Sequence, residues 1–156
     1  MKLVRYGTRA HERPGLLDSE GSIRDLSGHV EDINGRHLSP DTLTTLANLD
    51  VFDLPRIEED VRLGPCVAAP GKFVAIGLNY SDHALETGLP IPEEPVVFFK
   101  TDTCVSGPND DIVQPLDSTK LDWEIEIAFV IGQRALYVEE AEAENYIAGY
   151  CIVNDV

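Results

Sequence analysis

No apolar stretch in this chain of 156 residues approaches the roughly 18 residues that a helix needs to cross a bilayer. The longest runs, such as Val96–Phe99 and Ile127–Ile131, fall far short. The opening Met1-Lys2-Leu3-Val4-Arg5-Tyr6 lacks the apolar core of a signal peptide. The chain therefore reads as neither a membrane protein nor a secreted precursor, and no membrane partner is expected. Cysteine is scarce: Cys66, Cys104 and Cys151 form no Cys-x-x-Cys pair and leave an odd thiol. That usage suits a reducing cytoplasm better than a disulfide framework, so the expected location is cytoplasmic. Basic residues are few as well, 12 against 28 acidic, for a net charge of −16. A surface this acidic repels phosphate backbones, so nucleic acid is not an expected partner. Walker and Gly-x-Gly-x-x-Gly loops, a Gly-x-Ser-x-Gly elbow and His-Glu-x-x-His are all missing.

What is present is a foldable composition, 43% hydrophobic, with 12 Gly and 10 Pro spread along the chain. Leu3–Tyr6 reads as a strand, and Gly15–Leu17 with Ser22–Leu26 as a hairpin around Asp18-Ser19-Glu20-Gly21. Ser39-Pro40-Asp41 marks a helix start, with Ser at the N-cap and Pro at the first helical position. Texture changes near residues 60–70, where Pro65 and Pro70-Gly71 punctuate the chain. This predicts a small N-terminal domain over 1–65 and a second domain over 66–156. In the latter, Phe73–Ile76 reads as a strand, and a brief helix carrying His83 and Glu86 closes at Gly88. Val96–Phe99 reads as a buried strand delivering Lys100. Ile112–Gln114, Trp123–Ile131 and Ile147–Val153 read as strands, and acidic Val138–Tyr146 as helical. Strands outnumber helices, which predicts a strand-rich α+β fold with a mixed sheet system.

The strongest chemical signal is Asp122-Trp123-Glu124-Ile125-Glu126-Ile127. Side chains alternate faces along a strand, so Glu124 and Glu126 point one way and Trp123, Ile125 and Ile127 the other. Two like charges so close are costly unless water or a cation neutralises them. The pair is either the exposed polar face of an edge strand or a set of oxygen ligands for a hard divalent cation. His83 and Glu86 stand at i and i+3 of a helix, so the carboxylate can orient the imidazole and stabilise its protonated form. That pairing suits a general base activating water, and equally an exposed ion pair. Asp155, after the apolar Ile147–Val153 strand, is a turn residue or a third ligand. Lys100 is a surface lysine or a cation for a substrate carboxylate.

Read together, these motifs resemble the fumarylacetoacetate hydrolase family. The matching residues are Gly77-Leu78-Asn79-Tyr80-Ser81-Asp82-His83-Ala84-Leu85-Glu86, Phe98-Phe99-Lys100, Ser106-Gly107-Pro108, Asp122-Trp123-Glu124-Ile125-Glu126 with Val130-Ile131-Gly132, and Gly149-Tyr150 with Asn154-Asp155-Val156. The resemblance implies that the small N-terminal domain leads into the first part of that family's mixed β-sheet roll, truncated on its C-terminal side. The 156-residue piece alone is accordingly expected to be inactive.

By resemblance, Glu124, Glu126 and Asp155 would bind Mg²⁺ (or Mn²⁺ or Ca²⁺), and His83 with Glu86 would form the water-activating dyad. Lys100 and Tyr80 would contact substrate. The implied activity is hydrolysis of a carbon–carbon bond in a short β-diketo, acylpyruvate-type acid of sugar-acid or aromatic catabolism. A 2-oxo acid isomerase, an oxaloacetate decarboxylase of the same family and an inactive fragment are the alternatives. The implied assembly is a homodimer.

Overall fold

A computed structural model describes residues 1–156. The chain forms two compact units, residues 1–68 with 106–156, and residues 69–105. The family match expected over the second half therefore begins in one unit and ends in the other.

In the first unit, β1 (Leu3–Tyr6), β2 (Arg13–Leu17) and β3 (Ile23–Asp25) form an antiparallel sheet in the order β1-β2-β3. The hairpin turn between β2 and β3 is built on Asp18. Its Oδ1 accepts from the N–H of Glu20 and of Ser22 at 2.9 Å each, and its Oδ2 accepts from Arg24 Nε at 2.8 Å. Burial opposes ionisation of this carboxyl, but Arg24 and the two N–H donors outweigh it and hold it below the usual range. Helix α1 (Pro40–Ala47) starts as its sequence predicts, with Ser39 Oγ accepting from Thr42 N–H at 3.3 Å. Its buried Leu46 joins Leu16, Leu26, Val30 and Leu54 in the core, and Leu3, Leu49 and Val51 pack around them. Leu26 is fully enclosed.

The same unit contains β6 (Ile125–Ile131) and β7 (Ile147–Asn154), an antiparallel pair with a register shift at Val130/Ile131. The expected helix at Val138–Tyr146 is instead a 3₁₀ segment over Glu140–Tyr146. Glu140, Glu142 and Glu144 leave this stretch without a cation in its last turn. The expected strand Ile112–Gln114 is loop. Ile112 and Val113 are exposed there, with no neighbouring strand to accept a ladder.

The second unit is an antiparallel hairpin of β4 (Phe73–Gly77) and β5 (Val96–Lys100), with α2 (Ser81–Thr87) between them. Helix α2 ends at Gly88 in the left-handed conformation at φ 69°, where a side chain would be strained. The expectation of a buried Val96–Phe99 is corrected: Val96, Val97, Phe98 and Phe99 are exposed, because only one strand pairs with β5 and neither face is covered. No helix is long and apolar enough to cross a membrane. The fold is strand-rich α+β, and all its ladders are antiparallel.

Candidate functional site

In the first unit the carboxylates are placed by the β6–β7 register. Ile125 faces Asn154 and Glu126 faces Val153. The ladder continues one pair further: Asp155 N–H donates to the Glu124 carbonyl at 2.8 Å, and Glu124 N–H donates to Asn154 Oδ1 at 2.8 Å. Glu124 and Asp155 are thus opposed across the two strands. Residues opposed in an antiparallel pair share a face, as do residues two apart in one strand. Glu124, Glu126 and Asp155 consequently lie on one face of the ribbon.

That face also carries Ala128, Val130, Cys151 and Val153, all half-buried, as are Glu126 and Asp155. The opposite face carries Ile125, Ile127, Phe129, Tyr150 and Ile152, each at least 59% exposed. The alternation read from the sequence is therefore present, but the apolar face is the open one. Three carboxylates on one face are the donor type a hard divalent cation takes. No three His, Cys, Asp or Glu side chains gather closely enough in this structure to hold one. The residues thus suit the cation in donor chemistry and in face, with side chains not yet converged.

In the second unit, His83 and Glu86 lie on α2 at i and i+3, and both are exposed. Ala84, the helix's buried residue, lies on a different side of α2 from these two side chains. The His83 and Glu86 side chains are not hydrogen-bonded to each other. The turn into α2 contains Leu78 at φ 50°, a costly conformation for a residue with a branched side chain. Tyr80 follows it at the helix N-cap position. Lys100 ends β5 opposite Phe73, with Nζ 5.4 Å from the centre of the Phe98 ring. It lines an open groove of about 420 Å³ together with Pro70, Gly71, Lys72, Phe73 and Asp102. Two ammonium groups in one groove favour an anion.

Two arrangements escape sequence reading. Arg62 donates to both Asp110 oxygens, Nε to Oδ1 and Nη2 to Oδ2 at 2.6 Å each, and its Nη1 donates to Glu12 Oε1 at 2.8 Å. Arg5 extends the chain of charges with Nε and Nη2 on Asp32 at 2.7 and 3.0 Å. The second arrangement is the neighbouring thiols of Cys66 and Cys151. Neither has a local motif, since each joins residues far apart in sequence.

Comparison with known proteins gives these positions a context. Residues 72–156 match the model of the family described as fumarylacetoacetate (FAA) hydrolase C-terminal. A protein of Burkholderia ambifaria carrying the name hydrolase, with no substrate in that name, is 53% identical over 156 residues. A similarly named protein of Burkholderia multivorans is also 53% identical. In both cases the match covers 100% of this chain and 55% of the relative.

Among solved structures, a fumarylacetoacetate hydrolase from Exiguobacterium antarcticum superposes with a TM-score of 0.75 at 28% identity. An HpcE protein from Mycobacterium smegmatis superposes at 0.77 with 26% identity. Each alignment covers 99% of this chain and 55% of the other. The chain spans about half the length of the relatives it matches. With more than half of its residues inside the family's own sequence pattern and nearly all of them on the family's fold, the chain belongs to the fumarylacetoacetate hydrolase family.

Proposed function

We propose that this chain is the N-terminal part of a cytoplasmic, homodimeric hydrolase that cleaves a carbon–carbon bond in a short β-diketo acid of acylpyruvate type. On this reading Glu124, Glu126 and Asp155 hold a divalent cation, Mg²⁺, Mn²⁺ or Ca²⁺. When bound, that ion supplies Lewis-acid stabilisation of negative charge on the 2-oxo oxygen. The His83 imidazole accepts a proton from water, and the resulting hydroxide adds to the more distant carbonyl. Glu86 orients the ring and stabilises its protonated form. Lys100 pairs with the substrate carboxylate, and Tyr80 lies beside the reacting end. Collapse of the adduct breaks the carbon–carbon bond, releasing a carboxylic acid and an enolate that takes up a proton to become pyruvate or a near relative.

The observation that supports this most is the common face of Glu124, Glu126 and Asp155, set by the β6–β7 register within the family-matched residues. The test is turnover by the full-length protein of acylpyruvates, oxaloacetate and a muconate-type diacid with Mg²⁺ or Mn²⁺. Pyruvate and a carboxylic acid from an acylpyruvate are expected. Carbon dioxide from oxaloacetate, or double-bond migration in the diacid, with no acylpyruvate cleavage, would replace this reading with the decarboxylase or isomerase. A second reading, an inactive portion of such a protein, is favoured by the open apolar face of β6–β7 and the unconverged carboxylates. Stoichiometric Mg²⁺ binding by the chain argues against it.

A further inference from the structure

Residues 69–105 form a compact unit of their own, so the chain enters it once, after Ala68, and leaves it once, after Val105. The entering leg is fastened by backbone. It runs antiparallel to the end of β1: Leu63 pairs with Tyr6, Gly7 N–H donates to the Arg62 carbonyl at 2.9 Å, and Gly64 N–H donates to the Arg5 carbonyl at 2.8 Å. Ala68, the last residue before the crossing, donates its N–H to the Ile33 carbonyl at 2.7 Å. The leaving leg is fastened by a side chain instead. No backbone hydrogen bond joins residues 106–110 to a distant part of the first unit. Asp110 holds them, receiving Arg62 Nε and Nη2 at 2.6 Å each and the Gly107 N–H at 2.8 Å. The pair is partly shielded from water, with 26% of the Arg62 side chain and 16% of the Asp110 side chain exposed. Gly107 then lies so close to the Leu63 carbonyl that a Cβ would collide with it. Beyond Asp110 the hydrogen bonds are local until Glu124, whose N–H donates to Asn154.

We propose that Arg62 and Asp110 are positioning residues: their ion pair clamps the leaving leg to the entering one and so fixes the attachment of the 69–105 unit, with the His83–Glu86 pair it carries. Neither residue touches substrate in the reaction proposed above. The effect on turnover rests on that reading, whereas the clamp rests on the contacts themselves. With the clamp closed, anchored backbone stands within two residues of each crossing. With it open, residues 106–123 are slack, and a flexible stretch of that length spans roughly 20 Å. The unit then hangs from the entering leg alone. Misplacing a catalytic group by about 1 Å can cost on the order of 10²-fold in rate. A loosened attachment therefore acts on turnover without touching Glu124, Glu126 or Asp155, which lie beyond the slack stretch.

The experiment compares full-length wild type, Asp110→Ala and Arg62→Lys. Lysine keeps the charge beside Glu12 but loses the two-pronged grip on Asp110, so this variant is the milder one. Limited proteolysis with an enzyme that cuts after acidic residues reads the clamp. Asp111 and Asp117 report on the leaving leg, and Glu58 and Glu59 on the chain before the entering one, all four being exposed. Asp110→Ala is expected to speed cutting at Asp111 and Asp117 about tenfold relative to cutting at Glu58 and Glu59, and Arg62→Lys about threefold. For Asp110→Ala, kcat on an acylpyruvate is expected to fall about tenfold while Mg²⁺ affinity by calorimetry stays within about twofold.

Cutting that is unchanged, or faster by one factor at all four sites, would mean a pair that merely stabilises and would overturn the clamp. Unchanged kcat with a loosened leg, or a loss of kcat that only follows a loss of Mg²⁺ affinity, would overturn the positioning role. A wild type that cleaves no acylpyruvate would end the proposed reaction, and the proteolysis would still decide the clamp. If Asp110→Ala fails to fold, Arg62→Lys carries the same comparison.

Discussion

Arg62 grips both oxygens of Asp110 at 2.6 Å, joining two stretches of chain that are 48 residues apart. Asp110 also accepts the Gly107 N–H at 2.8 Å, which draws the loop at 107–110 against Leu63. At Gly107 a Cβ would lie 2.3 Å from the Leu63 carbonyl, so the close approach depends on glycine. Because Arg62 simultaneously holds Glu12, one guanidinium ties the N-terminal sheet region to the start of the family's Ser106-Gly107-Pro108 segment. Bidentate pairing of this kind fixes orientation as well as distance.

The first prediction concerns acid stability. Arg62, then the Gly107 N–H, hold the Asp110 carboxyl down to about 2, from an ordinary value of 3.8. Its folded-state value is depressed, so its contribution is present above about 3.8 and is lost as pH falls through about 2. Asp110→Asn should be less stable than wild type at neutral pH, and the two should converge as pH approaches 2. Parallel urea titrations at several pH values check this, and a difference that stays constant across the window would refute it.

A second prediction lies in the core. Leu26 is fully buried among Leu16, Val30, Leu46 and Leu54. Leu26→Ala should destabilise the chain by about 2–5 kcal/mol through lost burial and the cavity left behind. Equilibrium denaturation measures the change, and a loss well under 1 kcal/mol would mean that the site collapses around the smaller side chain.

Helix α1 supplies a smaller effect. Ser39→Ala removes the acceptor for Thr42 N–H and should cost about 0.5–2 kcal/mol, while Ser39→Gly should cost only a few tenths. The order of the two variants in thermal unfolding is the readout.

For the proposed metal site, Glu126→Gln should abolish Mg²⁺ binding with little loss of fold. A neutral amide is a weak ligand for a hard cation and relieves repulsion from Glu124. Titration calorimetry on the variant decides it, and unchanged affinity would remove Glu126 from the ligand set.

For the proposed dyad, His83→Ala in the full-length protein should lower turnover by roughly 10²–10⁴-fold. Metal affinity should stay nearly constant, because His83 is not assigned to the cation. Glu86→Gln should cost less, since the imidazole remains. Full turnover in His83→Ala would end the assignment.

The sequence by itself determined whatever acts within a few residues. The β2–β3 hairpin, the Ser39 cap, the stop at Gly88 and the common face of Glu124 and Glu126 follow from turn chemistry, capping and the two-residue period of a strand. The family motifs were legible for the same reason, as short runs of side chains in fixed order. Tertiary structure decided whatever depends on a distant neighbour. Ile112–Gln114 has strand-forming residues but no partner, so it is loop. Val96–Phe99 is apolar yet open to solvent, because burial requires a second surface and not merely a hydrophobic run. Asp155 comes opposite Glu124 only through the β6–β7 pairing, and Arg62 reaches Asp110 and Cys66 reaches Cys151 only through the path of the folded backbone. Periodicity and caps act along the chain, whereas these pairings close long loops whose entropic cost is met only by the fold as a whole.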